Sequence, residues 1–178
     1  MLVWEDECWF SRFAQPTLNS WTVGGQPLAL EQRERRKEDE EAKAVACYGA
    51  VTEETGQVLL RFSQGQPNSH HTLEFLTYLL QVAEGKGKRA LLVIWDKASW
   101  HKSTQVKEWI IEHNRKVKRE GGVRLLTFLL PTQSPWLNHQ EPHWVHCKKN
   151  VVEPRGYLMV RQLKERIRDY FHSDAPLD

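Results

Sequence analysis

The sequence predicts an α/β fold in which a mixed sheet carries helices on both faces. Three observations predict it. The chain opens with three separated strand signals; ALLVIWD at 90–96 is a continuous apolar run of the kind that fills a strand buried on both faces; and the segments around that run alternate between helical and strand periodicity.

Taken in order, LVWEDECWF is the first strand, and AVACYGAV and QVLLRFS are two more, joined by TEETG, whose Gly56 ends a short hairpin connection. Leu73, Leu76, Leu79, Leu80 and Ala83 then recur at helical spacing, with Asn68, Ser69 or Thr72 offered as the cap and the GKGK turn as the stop. After ALLVIWD and the loop KASWHK, a second helix is marked by Val106, Trp109, Ile110, His113 and Val117, and Gly121 and Gly122 terminate it. VRLLTFLLP reads as a second buried strand stopped by Pro131. Tyr157, Val160, Leu163, Ile167 and Tyr170 line one face of a last helix, with Arg161, Lys164 and Arg168 on its other side. The segment EQRERRKEDEEAK, 31–43, mixes both charge signs and reads as solvated surface.

A length of 178 residues suits one domain, 1–178. No apolar run reaches the length of a membrane span, and the N-terminus carries acids where a secretory signal carries bases, so a cytoplasmic protein with no membrane partner is expected. Cys8, Cys47 and Cys147 are odd in number and form no CxxC pair, which argues for reduced thiols. The net charge of +2 hides an asymmetry. Before Asp96 there are 10 basic and 13 acidic residues (−3); from Asp96 onward there are 15 and 10 (+5). The basic second part suits a polyanion such as nucleic acid, although a solvated helical surface reads the same way.

Three carboxylates fall where chemistry is expected. Asp6 lies inside the first strand, Asp96 at the C-terminal end of a central strand, and Glu141 at the start of the helix after the last strand. Strand ends and helix starts are where ligands bind in open α/β sheets, and three acids converging there would hold Mg²⁺ or Mn²⁺ through oxygen ligands. In LPTQSPWLNHQEPHW, 130–144, Pro131 and Pro135 hold an extended connector, Asn138 reads as a helix cap with Glu141 at the third position, and Trp144 wedges the helix on the sheet. A capping box alone would also account for Glu141. Glu5 and Glu7 alternate with Asp6 and should face the opposite side of the sheet.

VWEDE, VIWDKASWHKS and LPTQSPWLNHQEPHW resemble the three signature blocks of mariner-related bacterial insertion-sequence transposases, and WTVGGQP at 21–27 resembles the tryptophan-glycine segment that follows the first acid. The likeness covers nearly the whole chain and departs from the usual pattern at Lys97, where that family has Asn, and at His139, where it has Pro. It implies a ribonuclease H-like DDE catalytic domain with Asp6, Asp96 and Glu141 as catalytic, metal-holding residues. It also implies DNA cleavage and strand transfer at transposon ends and TA targets. Such proteins carry helix-turn-helix domains upstream, and Asp6 lies five residues from Met1, so a partner chain supplying those domains, or a homodimer, is expected.

His101 matches a histidine common in that family and is a secondary site candidate, as are Lys97 and Asn138. Lys102, Lys107, Arg115, Lys148 and Lys149 are the expected phosphate contacts, and Trp100 and Trp136 could stack on a base. His139, His143 and Cys147 have helical i, i+4 spacing, but the sequence shows no second ligand group for zinc. A catalytically inactive transposase remnant, and a ribonuclease H-like nuclease or resolvase, are the alternatives; metal-dependent cleavage separates the first, substrate preference the second.

Overall fold

The computed structural model describes residues 1–15, 37–153 and 156–177. Among them β1 (Leu2–Ser11), β2 (Ala44–Thr52) and β3 (Val58–Ser63) form an antiparallel meander. They are followed by α1 (Ser69–Gly85), β4 (Ala90–Trp95), α2 (Thr104–Glu120), β5 (Arg124–Leu129), a 3₁₀ turn at Pro135–Leu137, α3 (Glu141–Asn150) and α4 (Val160–Tyr170). The sheet order is β3-β2-β1-β4-β5, with β4 parallel to both β1 and β5. Strand β1 therefore sits in the middle, antiparallel on one side and parallel on the other. No helix of the described residues is long and apolar enough to cross a membrane.

The alternation of β1 divides the core in two. Val3 joins the cluster built from Leu76, Leu79, Leu91, Val93 and Val106 under α1 and α2. Cys8 and Phe10, of opposite parity, join Val45, Cys47, Leu60, Trp144, Leu163 and Ile167 under α3 and α4. The helix ends obey local chemistry. The Asn68 side chain accepts hydrogen bonds from the backbone N–H groups of His70 (2.9 Å) and His71 (3.1 Å), so Asn68 is the cap, and Thr72 lies inside α1. Ser103 accepts from the N–H of Val106 and caps α2, which stops at Gly121 with φ +85°, a value a side chain would strain.

Two expectations are corrected. VRLLTFLLP does form a strand, but β5 is an edge: only Leu125 of its six residues is buried, and Leu126 (43% exposed) and Phe128 (59%) face solvent. Continuous apolarity cannot distinguish a strand covered twice from one covered once, and α3 and α4 pack over β1 and β2 instead. The charged segment is also more than solvated surface. The side chain of Arg12 is fully buried; it donates to both oxygens of Asp39 (3.1 and 2.9 Å) and to the carbonyl of Leu158 (2.7 Å), and lies 3.2 Å from Glu41. That clasp ties the end of β1 to the approach to α4. Residues 31–36 and WTVGGQP lie outside the described residues.

Helix α3 is seated by Trp144, which is 2% exposed, meets Phe10 and Phe171 edge-on, and lies over Gly49. Gly49 is the β2 partner of Asp6, and a Cβ there would collide with the Trp144 ring and crowd the Gln140 amide. Gly49→Ala should therefore cost about 1–3 kcal/mol by overpacking. Urea denaturation checks this, with Gly85→Ala, in open space at the end of α1, as the control expected to be neutral or slightly stabilising.

Candidate active site

The parallel register of β1 and β4 pairs Leu2 with Leu92 and Trp4 with Ile94; continued two residues, it brings Asp6 level with Asp96. Asp96 is the first residue beyond β4. From β5 the chain runs through Pro131–Pro135 and the 3₁₀ turn and returns over β1, where α3 opens on Glu141. A cleft of about 310 Å³ results, lined by Asp6, Asp96, Lys97, Asn138, Glu141 and the 130–135 connector. The three sequence-predicted acids thus meet in one place. A larger groove of about 690 Å³, lined by Trp9, Phe10, Lys148 and Lys149 among others, lies elsewhere and contains none of them.

Asn138 is not the cap of α3. Gln140 precedes the helix with no side-chain cap bond, and Glu141 is its first residue rather than the third of a capping box. The buried Asn138 instead staples the connector to the sheet: its Nδ2 donates to the backbone carbonyl of Glu5 (2.8 Å), and its Oδ1 accepts from the N–H of Gln140 (3.1 Å). The orientation of Glu141 therefore comes from a bond to the strand that carries Asp6. Sequence spacing suggested a local cap because the competing partner, a carbonyl 133 residues away, is visible only in three dimensions.

The electrostatics are dominated by crowded carboxylates. Burial, then a hydrogen bond with Glu141 and the charges of Glu7, Glu141 and Asp96, push the Asp6 carboxyl up to about 8. Asp96 goes the other way: a hydrogen bond from His101 holds it below the ordinary carboxylate value, against partial burial. Lys97 lines the cleft, but its Nζ reaches Thr132 Oγ1 (3.3 Å). Three carboxylate side chains line this cleft, the oxygen donor type that Mg²⁺ or Mn²⁺ prefers.

On the opposite face of β1, Glu5 and Glu7 meet His101, as their parity requires. His101 is 3% exposed, with Nε2 at 3.3 Å from Glu5 and 3.2 Å from Glu7 and Nδ1 at 2.9 Å from Asp96 Oδ1. Among the described residues, Glu5, Glu7 and His101 are the group whose ligand atoms lie within 4.8 Å of one another, a spacing that Asp6, Asp96 and Glu141 do not share. The imidazole itself supplies the positive charge there. Burial alone would lower its pKa, but Glu5, Asp96 and Glu7 outweigh burial and raise it to about 11. Burial and Glu7 likewise push Glu5 far upward, so both shifts say that the cluster keeps a proton. The sequence carried a signal for this cluster in two acids sharing one core-facing parity, which demand a partner.

The remaining candidates scatter. Lys102 is near enough to Asp96 to lower its pKa, and Lys148 and Lys149 line the larger groove on the Asp6 side. Lys107 and Arg115 are exposed on α2, Arg115 within 3.6 Å of Glu112 and roughly 16 Å along the helix axis from its site-proximal end. Trp100 is half-buried, donating Nε1–H to Glu7 (2.5 Å), whereas Trp136 is 75% exposed. His139 stacks on Trp4 and bonds to Glu53, and Cys147 is buried in the core, so the spacing of His139, His143 and Cys147 gathers no metal site.

Because the folded pKa of Asp6 lies above its ordinary 3.8, its contribution to stability is complete below about pH 4 and is lost as the pH rises through about 8. In chelator, the melting temperature of Asp6→Asn relative to the native chain should therefore climb with pH and level off above 8. Thermal melts across that range check it; a pH-independent difference would contradict the crowding.

No curated protein sequence is a significant match. Among solved structures, the fold is similar to a Mos1 transposase paired-end complex with left transposon end (16% identity, TM-score 0.69, 96% of this chain, 47% of that one). It is also similar to the Mos1 mariner paired-end complexes with Mn (17%, TM-score 0.68, 96% and 48%) and with Mg (16%, TM-score 0.64, 96% and 47%). The chain spans about half the length of those proteins, and the likeness establishes a ribonuclease H-like fold. With the sequence matching the family described as DDE superfamily endonuclease across residues 1–164, and three acids gathered at one cleft of that fold, the chain belongs to that family.

Proposed function

We propose that this chain is the catalytic domain of a DNA transposase, cutting phosphodiester bonds at transposon ends and transferring the freed 3′ end to target DNA with Mg²⁺ or Mn²⁺ as cofactor. The observation that carries this reading is the convergence of Asp6, Asp96 and Glu141, drawn from a central strand, a strand end and a helix start, on one open cleft. Membership of an endonuclease family supports hydrolysis, and the similar solved structures, named as paired-end complexes with transposon DNA and with Mn or Mg, support the substrate and cofactor.

Asp6, Asp96 and Glu141 would hold the cation, Asp6 from the middle of the sheet and the other two from its rim. When bound, divalent cations activate a water or a 3′-hydroxyl and stabilise the oxygen leaving phosphorus. The chain's own part is anchorage. The Asn138 staple keeps Glu141 facing β1, and the 130–135 connector walls the cleft. Lys97, Lys102, Lys148 and Lys149 would draw the DNA backbone across that face, and Trp136 would offer a stacking surface. Two copies would serve two transposon ends, as the name paired-end complex suggests. A partner chain carrying helix-turn-helix domains would read the end sequence.

Nicking of transposon-end DNA in Mg²⁺ or Mn²⁺ tests the proposal. Asp6→Asn, Asp96→Asn and Glu141→Gln should each lose about 100-fold or more. Each should also lose most of the rise in melting temperature that Mn²⁺ gives the native chain. Metal-dependent cutting undiminished in all three variants refutes the assignment, and preference for junctions or RNA/DNA hybrids over transposon ends redirects the substrate. DNA binding should fall steeply with salt and be nearly blind to sequence. Replacing Lys148 and Lys149 by alanine should flatten the log–log salt slope by about one unit each.

A further inference from the structure

Asp96 would be a poorly defined ligand on its own. Its side chain is 56% exposed at the end of a strand, where a carboxylate rotates freely and loses orientation entropy on binding a cation. Two bonds remove that freedom, and both fall on the same oxygen: Oδ1 accepts from the backbone N–H of Ala98 (2.8 Å) and from His101 Nδ1 (2.9 Å). Among the described residues, Oδ2 accepts no such bond, and Asp96 lines the cleft.

His101 is in turn fixed from every side. Its ring stacks on Trp95 at 4.5 Å between centroids and 9° between planes. Its Nε2 lies between Glu5 and Glu7, and Glu7 is held by Trp100 Nε1–H. The chain of contacts runs from Trp100 through Glu7 and His101 to Asp96, linking the face of β1 that carries Glu5 and Glu7 to the strand end beside Asp6. It has the layout of an outer partner orienting a metal ligand.

We infer that His101 is a positioning residue, which pins Oδ1 of Asp96 from a seat built by Glu5, Glu7 and Trp95 so that Oδ2 is presented to a divalent cation. The inference rests on Asp96 being a cation ligand, as proposed above. It assigns to Glu7, which faces away from the cleft, a part in cation binding that operates through His101.

The experiment is Mn²⁺ binding to the whole chain by calorimetry, with melting temperatures in chelator, for the native chain, Asp96→Asn, His101→Asn and His101→Gln. The asparagine amide occupies the place of Nδ1 and can still donate to Asp96; the glutamine amide occupies the place of Nε2 and reaches only Glu5 and Glu7. Both variants lose the stacked ring, so both should melt lower by similar amounts. His101→Asn should keep Mn²⁺ affinity within about threefold of native, whereas His101→Gln should lose about 10- to 100-fold. A merely structural histidine would make both variants lose affinity in step with their melting temperatures, and that result, or native affinity in His101→Gln, overturns the inference. If Asp96→Asn binds Mn²⁺ as the native chain does, or the native chain binds none, the cation-site reading fails and this inference falls with it. Dependence on Asp96 without dependence on the Nδ1 donor defeats the inference alone.

Discussion

The two-residue period of β1 is the constraint on which the rest depends. Because β1 is the central strand, flanked by β2 and β4, both of its faces are covered by protein, and successive side chains enter different environments. Asp6 turns toward the side of α3, while Glu5 and Glu7 turn toward His101. A one-residue slip of β1 against β4 would exchange these roles and put Glu7 or Trp9 where the α3 cluster needs Cys8.

Three consecutive acids in a central strand are electrostatically expensive, and the two faces meet that cost differently. On one face an imidazole buried among carboxylates balances Glu5 and Glu7, with the Trp100 indole adding a donor. On the other, Asp6, Glu141 and Asp96 face an open cleft where the nearby cation His101 holds Asp96 alone, and the crowding shows in the raised pKa of Asp6. The contrast separates a buried cluster that holds its own cation from an open cleft lined by carboxylates. His101 joins the two, since it belongs to the first and hydrogen-bonds to Asp96 of the second.

The packing around the cleft serves the same geometry. Trp144 fills the space over Gly49, directly across from Asp6 in the β1–β2 ladder, so the depth of α3 on the sheet is fixed beside the residue whose partner it carries. The Arg12 clasp anchors the far end of β1 to residues near 39 and 158. Strand β5 is braced from one side by α2, with Asn114 exchanging two hydrogen bonds with the backbone of Leu125, and its other face stays open.

Sequence by itself determined the order of strands and helices, the parity that sends Glu5 and Glu7 away from Asp6, the stops at Gly121 and around Gly87, and the gathering of Asp6, Asp96 and Glu141 at one cleft, because periodicity, turn residues and signature blocks are local properties of the chain. Tertiary structure alone decided the rest. Whether VRLLTFLLP is covered once or twice depends on where distant helices land; whether Asn138 caps α3 or holds the Glu5 carbonyl depends on a strand 133 residues away; whether Asp39 and Glu41 are solvated depends on Arg12. In each case a polar or apolar group had several partners of comparable strength, and burial chose among them, since only the buried contact is spared competition from water.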